Sequence, residues 1–104
     1  MNIDFKATNL ELTEPLKAYI LEKIGGLNKV LKRVEAESGA LYAVVEVART
    51  TNHHRKGDIY YAETNLHLPT KTLRAEATAD DIRKAIDSVR EKLREEIEKY
   101  SEKK

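Results

Sequence analysis

The run RTTNHHRKGD, Arg49 to Asp58, carries the densest set of side chains able to do chemistry. It holds His53, His54, Arg55 and Lys56, and no acid before Asp58. Three chemistries use such residues: metal binding, proton transfer and phosphate contact. Zinc takes four N, S or O ligands, or three and a water, at set spacings. His53 and His54 are adjacent, so in extended chain their side chains point to opposite sides. His67 belongs to a different segment, there is no cysteine, and neither HxxxH nor HExxH occurs. No metal is therefore expected. Asp80 and Asp81 are paired carboxylates of the kind used in acid–base work. They stand at the start of a helical pattern, where the macrodipole accounts for them without catalysis. With no GxSxG, P-loop or GxGxxG present, no enzyme activity, cofactor or small-molecule substrate is expected.

Phosphate contact remains, and the placement of charge supports it. Over residues 82–100, set Ile82 at zero on a helical wheel. Arg90, Arg83 and Arg94 then fall at about 80°, 100° and 120°, with only Asp87 beside them. This is an arginine ridge on the flank of the apolar stripe. The far side mixes Glu91, Glu95 and Glu98 with Lys84, Lys92 and Lys99, an ordinary solvated face. From Leu16 to Val34, Lys17, Lys23, Lys29, Lys32 and Arg33 stand against Glu22 alone. The alternative is a set of solvating cations with i,i+4 partners such as Lys84–Ser88 and Lys92–Glu96. That pattern leaves the three arginines in excess. Cations on helices and in one loop, without exposed aromatic platforms, fit reading of RNA phosphate and shape rather than of single-stranded bases.

The elements that must carry these side chains are legible from period. NIDFKAT alternates, with Ile3, Phe5 and Ala7 on one side, and reads as a strand. Thr13 is the expected N-cap of a helix with Pro15 in its first turn. Leu16, Ile20, Ile24, Leu27, Leu31 and Val34 form its apolar stripe. Gly25 and Gly26 interrupt it; either they permit close packing or the helix is soft there. Ala40–Arg49, Asp58–Leu68 and Thr72–Thr78 read as three strands of an antiparallel meander. The last helix carries Ile82, Ile86, Val89, Leu93, Ile97 and Tyr100 on one stripe, with Thr78 and Asp81 at capping-box spacing.

The expected fold class is α+β, in the order βαβββα. Its four-stranded mixed sheet has both helices on one face, and the first strand lies parallel beside the second. Leu41, Ala43, Val45, Val47, Tyr60, Leu66, Leu68, Leu73 and Ala75 are expected to face the helices. Glu46, Glu63, Asn65, His67, Arg74 and Glu76 are expected on the open face.

With 104 residues, one domain over residues 1–100 is expected, followed by a polar tail, 101–104. A net charge of +1 leaves only charge placement to indicate a nucleic-acid partner. No apolar run approaches the ~20 residues of a membrane span, and the N-terminus lacks the pattern of a signal peptide. The absence of cysteine allows a reducing compartment, so a cytoplasmic protein is the expectation.

Three segments, TEPLKAYILEKIGGLNK, HHRKGDIYYAETNLHLP and LRAEATADDIRKAID, resemble the ribosome hibernation-promoting factors, also called ribosome-associated inhibitors. The resemblance covers nearly the whole chain. It implies a fold like that of double-stranded-RNA-binding domains. It also implies a non-enzymatic protein that occupies the decoding channel of the small ribosomal subunit and blocks tRNA and mRNA. Lys17, Lys23, Lys29 and Lys92 match basic places of that family. Where the family commonly has Tyr-Ala-Ala-Ile-Asp, this chain has Arg83-Lys84-Ala85-Ile86-Asp87, so charge replaces an aromatic contact. Long members carry a further C-terminal domain, so a short form or a fragment is expected. The expected partner is the ribosome, through small-subunit rRNA. The expected contact residues are Lys17, Lys23, Lys29, Lys32, Arg33, His53, His54, Arg55, Lys56, Arg83, Lys84, Arg90, Lys92 and Arg94. A general double-stranded-RNA-binding module and a protein-interaction domain using the open sheet face are the competing readings.

Overall fold

The computed structural model describes residues 1–38, 41–51 and 57–102. The elements run β1 (Asn2–Thr8), α1 (Glu14–Lys23), a 3-10 turn (Gly25–Leu27), α2 (Asn28–Ser38), β2 (Tyr42–Thr51), β3 (Asp58–His67), β4 (Thr72–Ala79) and α3 (Ile82–Glu102). The sheet order is β1-β2-β3-β4. β1 lies parallel to β2, with Phe5 opposite Val45, while β2–β3 and β3–β4 are antiparallel. The α+β class and the mixed sheet are as the sequence pattern implies.

The first helical region differs from the single helix expected. It is two α-helices joined by the 3-10 turn over Gly25–Leu27. Close packing is not the reason for the glycines. A Cβ on Gly25 would meet Ile3 Cδ1 at 3.8 Å, an ordinary contact, and one on Gly26 would meet nothing within 4 Å. Two consecutive weak helix formers instead let the chain tighten by a turn. The apolar stripe survives the break, because Ile24, Leu27, Leu31 and Val34 all remain buried.

Capping follows local chemistry. Thr13 Oγ1 accepts from the Leu16 backbone N–H at 3.3 Å, as expected of an N-cap. At α3 the cap is Asp81 rather than Thr78, which lies inside β4. Asp81 Oδ1 accepts from Arg83 N–H at 2.7 Å. Its carboxylate also meets the positive end of the helix dipole. β2 begins at Tyr42 and continues to Thr51, two residues past the expected end, and α3 continues two residues past Tyr100.

The core lies between the sheet and the helices. Leu16, Ile20, Ile24, Leu27 and Leu31 meet Ile86, Val89, Leu93 and Ile97 over Ala43, Val45, Val47, Ala62, Leu66 and Leu73. Each buried Leu or Ile contributes about 1.5–3 kcal/mol of transfer free energy. Alternation along the strands sends the even-numbered residues of β2 and β4 and the odd-numbered ones of β3 to the other, open face.

Candidate nucleic-acid interface

The helical side carries most of the expected contact residues, and its ordering centre is Tyr19 of α1. The Tyr19 hydroxyl donates to Asp87 Oδ1 of α3 at 2.5 Å. Lys23 Nζ stands over the same ring, 5.5 Å from its centroid, and Arg83 Cζ stands 5.1 Å from it. One aromatic ring therefore joins two helices and holds a cation from each. The hydrogen bond to Asp87, then burial, push the Tyr19 phenol up to about 12, so it stays a donor at neutral pH.

The arginine ridge is not unopposed. Arg90 Nη1 lies 2.6 Å from Glu91 Oε1, and Arg94 Nε lies 3.6 Å from Glu98 Oε1. The glutamates expected on the far side reach round to these cations, because long side chains span more of the helix surface than a wheel drawn at Cα indicates. Lys17 pairs with Glu14 at 3.5 Å and Lys84 with Asp80 at 3.1 Å. Lys92 donates to the Glu76 carbonyl of the edge strand β4 at 2.7 Å. The Lys84–Ser88 and Lys92–Glu96 pairs of the alternative reading give way to these. Exposed pairs of this kind are worth only about 0–1 kcal/mol, so a phosphate can exchange with the carboxylate. Among the described residues, Lys23, Lys29, Lys32 and Arg83 have no ion pair. Arg33 lies on α2, but its side chain falls outside the described residues, as do His53, His54, Arg55 and Lys56.

The open face of the sheet has a different character. Lys6, Glu46, Glu63 and Glu76 stand in register across all four strands. Arg74 Nη2 lies 2.6 Å from Glu63 Oε2 and 3.0 Å from Glu76 Oε2. The Tyr61 hydroxyl lies 2.5 Å from Glu63 Oε2 and 2.7 Å from Glu76 Oε2, so two carboxylates share its proton. Asn65 Nδ2 donates to Glu63 Oε1 at 3.0 Å. The Tyr61 hydrogen bond, against the opposing effect of burial, holds the Glu63 carboxyl below its usual range; Arg74 and Asn65 act in the same direction. Desolvation and the two acceptors push the Tyr61 phenol up. Tyr61 is thus committed to carboxylates. At the other end Tyr42 stacks on His67, with centroids 4.3 Å apart, and His67 Nδ1 lies 3.1 Å from Thr72 Oγ1. Cations gather on the helical side, while this face is a self-satisfied acidic network.

Tyr19 escaped sequence reasoning because it stands beside the apolar stripe, where an aromatic looks like core. Its i,i+4 spacing to Lys23 was the available signal. Among the described residues no group of three or more His, Asp or Glu is placed to hold a metal ion. No helix among them is long and apolar enough to cross a membrane.

Comparison with known proteins adds to this geometry. Residues 3–104 match the family model described as sigma 54 modulation protein / S30EA ribosomal protein. The chain belongs to this family. A ribosome hibernation promotion factor of Lactococcus lactis subsp. cremoris is 32% identical over 100 residues, 96% of this chain and 49% of that protein. The chain thus spans about half the length of that relative. A ribosome hibernation promoting factor of Pseudomonas putida is 28% identical over 99% of this chain and 89% of its own length. Among solved structures, the Thermus thermophilus Protein Y N-terminal domain superposes with a TM-score of 0.77 at 25% identity, covering 96% of this chain and 99% of that one. A ribosomal subunit interface protein from Coxiella burnetii shares the fold with a TM-score of 0.67 at 21% identity, over 97% of this chain and 98% of its own.

Proposed function

We propose that this chain is a ribosome-binding translation inhibitor of the hibernation type. It occupies the decoding channel of the small ribosomal subunit and blocks tRNA and mRNA through contacts with rRNA phosphates. Residues 1–100 act as the binding unit, and 101–104 as a polar tail. The observation that carries this reading is the division of charge. Lys23 and Arg83 are held together on one ring on the helical side. The carboxylates of the sheet are tied into a network of their own on the other. Fixed cations at the surface meet a regularly charged backbone at little further entropic cost, and phosphate contacts dominate such affinity. Membership of the family and the printed names of its relatives point to the ribosome as the partner. The protein acts by occupancy rather than catalysis, requires no cofactor or metal, and works in the cytoplasm where ribosomes are.

The test is pelleting with purified bacterial ribosomes through a sucrose cushion, with free duplex RNA as competitor. The protein is expected to pellet with ribosomes and to remain there when duplex is in excess. Release by duplex would instead identify a general double-stranded-RNA-binding module. Failure to pellet at low salt would overturn the reading.

A further inference from the structure

The three arginines of α3 are not equivalent. Arg90 and Arg94 each have a carboxylate close by, at 2.6 Å from Glu91 and 3.6 Å from Glu98. Arg83 has Asp87 four residues on, the spacing at which an aspartate and an arginine ordinarily meet on a helix. Among the described residues Arg83 nevertheless has no ion pair. The Asp87 carboxylate is engaged elsewhere, by the Tyr19 hydroxyl from α1. The guanidinium instead stands over the Tyr19 ring.

We propose that Tyr19 is a positioning residue that keeps Arg83 available to an RNA phosphate. This proposal rests on the ribosome-binding reading above. Tyr19 acts in two ways at once. Its hydroxyl engages the one carboxylate at i,i+4 spacing from Arg83 toward the C-terminus of α3. Its ring takes the face of the guanidinium, a contact that uses the π-system and leaves the in-plane N–H donors open. Those donors form the fork that matches two phosphate oxygens. Lys23, over the same ring, adds a second cation from the other helix. The phosphate ligand would thus be met by the bidentate donor of Arg83, with the Lys23 charge held on the same ring. The Arg83 backbone is anchored too, since its N–H is held by Asp81 at 2.7 Å.

A merely structural role for Tyr19 makes a different prediction. If the residue only joined α1 to α3, removing its hydroxyl would lower stability, and removing Asp87 as well would not help. On the proposal, Tyr19→Phe leaves the ring but releases Asp87, which then pairs with Arg83 and competes with phosphate. Tyr19→Phe/Asp87→Asn removes that competitor and restores binding.

The experiment measures the affinity of the full chain for purified bacterial ribosomes at several salt concentrations, for wild type, Tyr19→Phe, Asp87→Asn and the double variant. Thermal melts of each protein are recorded alongside. Loss of one charge-assisted contact weakens binding about tenfold. Tyr19→Phe should show that loss, with the slope of log affinity against log salt reduced by about one contact. Asp87→Asn should bind as wild type or tighter. The double variant should return to within about twofold of Asp87→Asn. Wild-type affinity in Tyr19→Phe, or a double variant as weak as Tyr19→Phe, overturns the role of Tyr19 while leaving ribosome binding intact. Failure of the wild type itself to bind overturns the ribosome reading, and this proposal with it.

Discussion

Replacing Arg83 and Arg90 together by glutamate probes the charged helical side most directly. If about six phosphates are contacted, wild-type affinity falls by ~10³-fold between 50 and 200 mM salt. Losing two contacts leaves about four, and the same salt interval should then cost only ~10²-fold. At low salt the double variant should bind at least about tenfold more weakly. Stability should fall only slightly. A glutamate at position 83 sits in the first turn of α3, which the macrodipole favours, but four residues before Asp87, which costs ~0.2–0.5 kcal/mol. A glutamate at position 90 gives up the exposed pair with Glu91 but gains Arg94 four residues on. The variant also gives up the guanidinium over the Tyr19 ring, worth about 0.5–1 kcal/mol, so the net loss stays within about 1 kcal/mol, or about 4–8 °C in Tm. Sedimentation with ribosomes across the salt series, with a thermal melt of each protein, reads both quantities. The control belongs on the open face. Glu63 is unsuitable there, because Tyr61, Asn65 and Arg74 all depend on it. Asp4→Lys, at an exposed position of β1, adds charge without breaking a contact and should bind as wild type or slightly better. An unchanged salt slope in the arginine variant, or a loss of binding confined to Asp4→Lys, would refute the assignment of the interface.

Three further outcomes follow from the same contacts. The folded state holds the Glu63 carboxyl below its unfolded value, so its contribution is present above the ordinary range of ~4.3 and disappears as pH falls through the folded value. Urea melts of wild type and Glu63→Gln should therefore differ at pH 7, and the gap should narrow as pH is lowered into the acid range; a pH-independent gap would contradict the network. Thr64 Oγ1 is buried without a hydrogen-bond partner, between Val45 and Ala75 in the sheet register. Thr64→Val should stabilise by about 1 kcal/mol and raise Tm by about 4–8 °C, and a fall in Tm would show that the hydroxyl has a partner. Adding EDTA or zinc should change neither the melting curve nor ribosome binding, since no ligand set is present among the described residues; a chelator-induced loss of ellipticity would restore the metal reading of His53 and His54.

The sequence by itself determined the class of fold and the division of faces. Period 2 and period 3.6 are set by backbone geometry, so Val45, Val47, Ile86 and Leu93 could be assigned to the core without coordinates. The one-sided lysines of the first helical region were equally visible, because they are neighbours along the chain. Three features required the tertiary structure. The glycine pair could signal either close packing or a soft turn, and only the room for a Cβ at both positions, in ordinary contact at Gly25 and with nothing near at Gly26, decides between them. The cap of α3 depended on where β4 ends, since Thr78 and Asp81 compete for one role and the sheet claims Thr78. The fate of each cation was the least legible of all. Exposed ion pairs differ by fractions of a kcal/mol, so small differences in side-chain geometry, and contacts from other elements such as that of Lys92 with the Glu76 carbonyl, decide among them. Tyr19 lies 68 residues before Asp87 in sequence, and no helical wheel of α3 contains it. Folding brings its hydroxyl to that carboxylate, and this long-range contact, rather than the spacing of charges along α3, distinguishes Arg83 from Arg90 and Arg94.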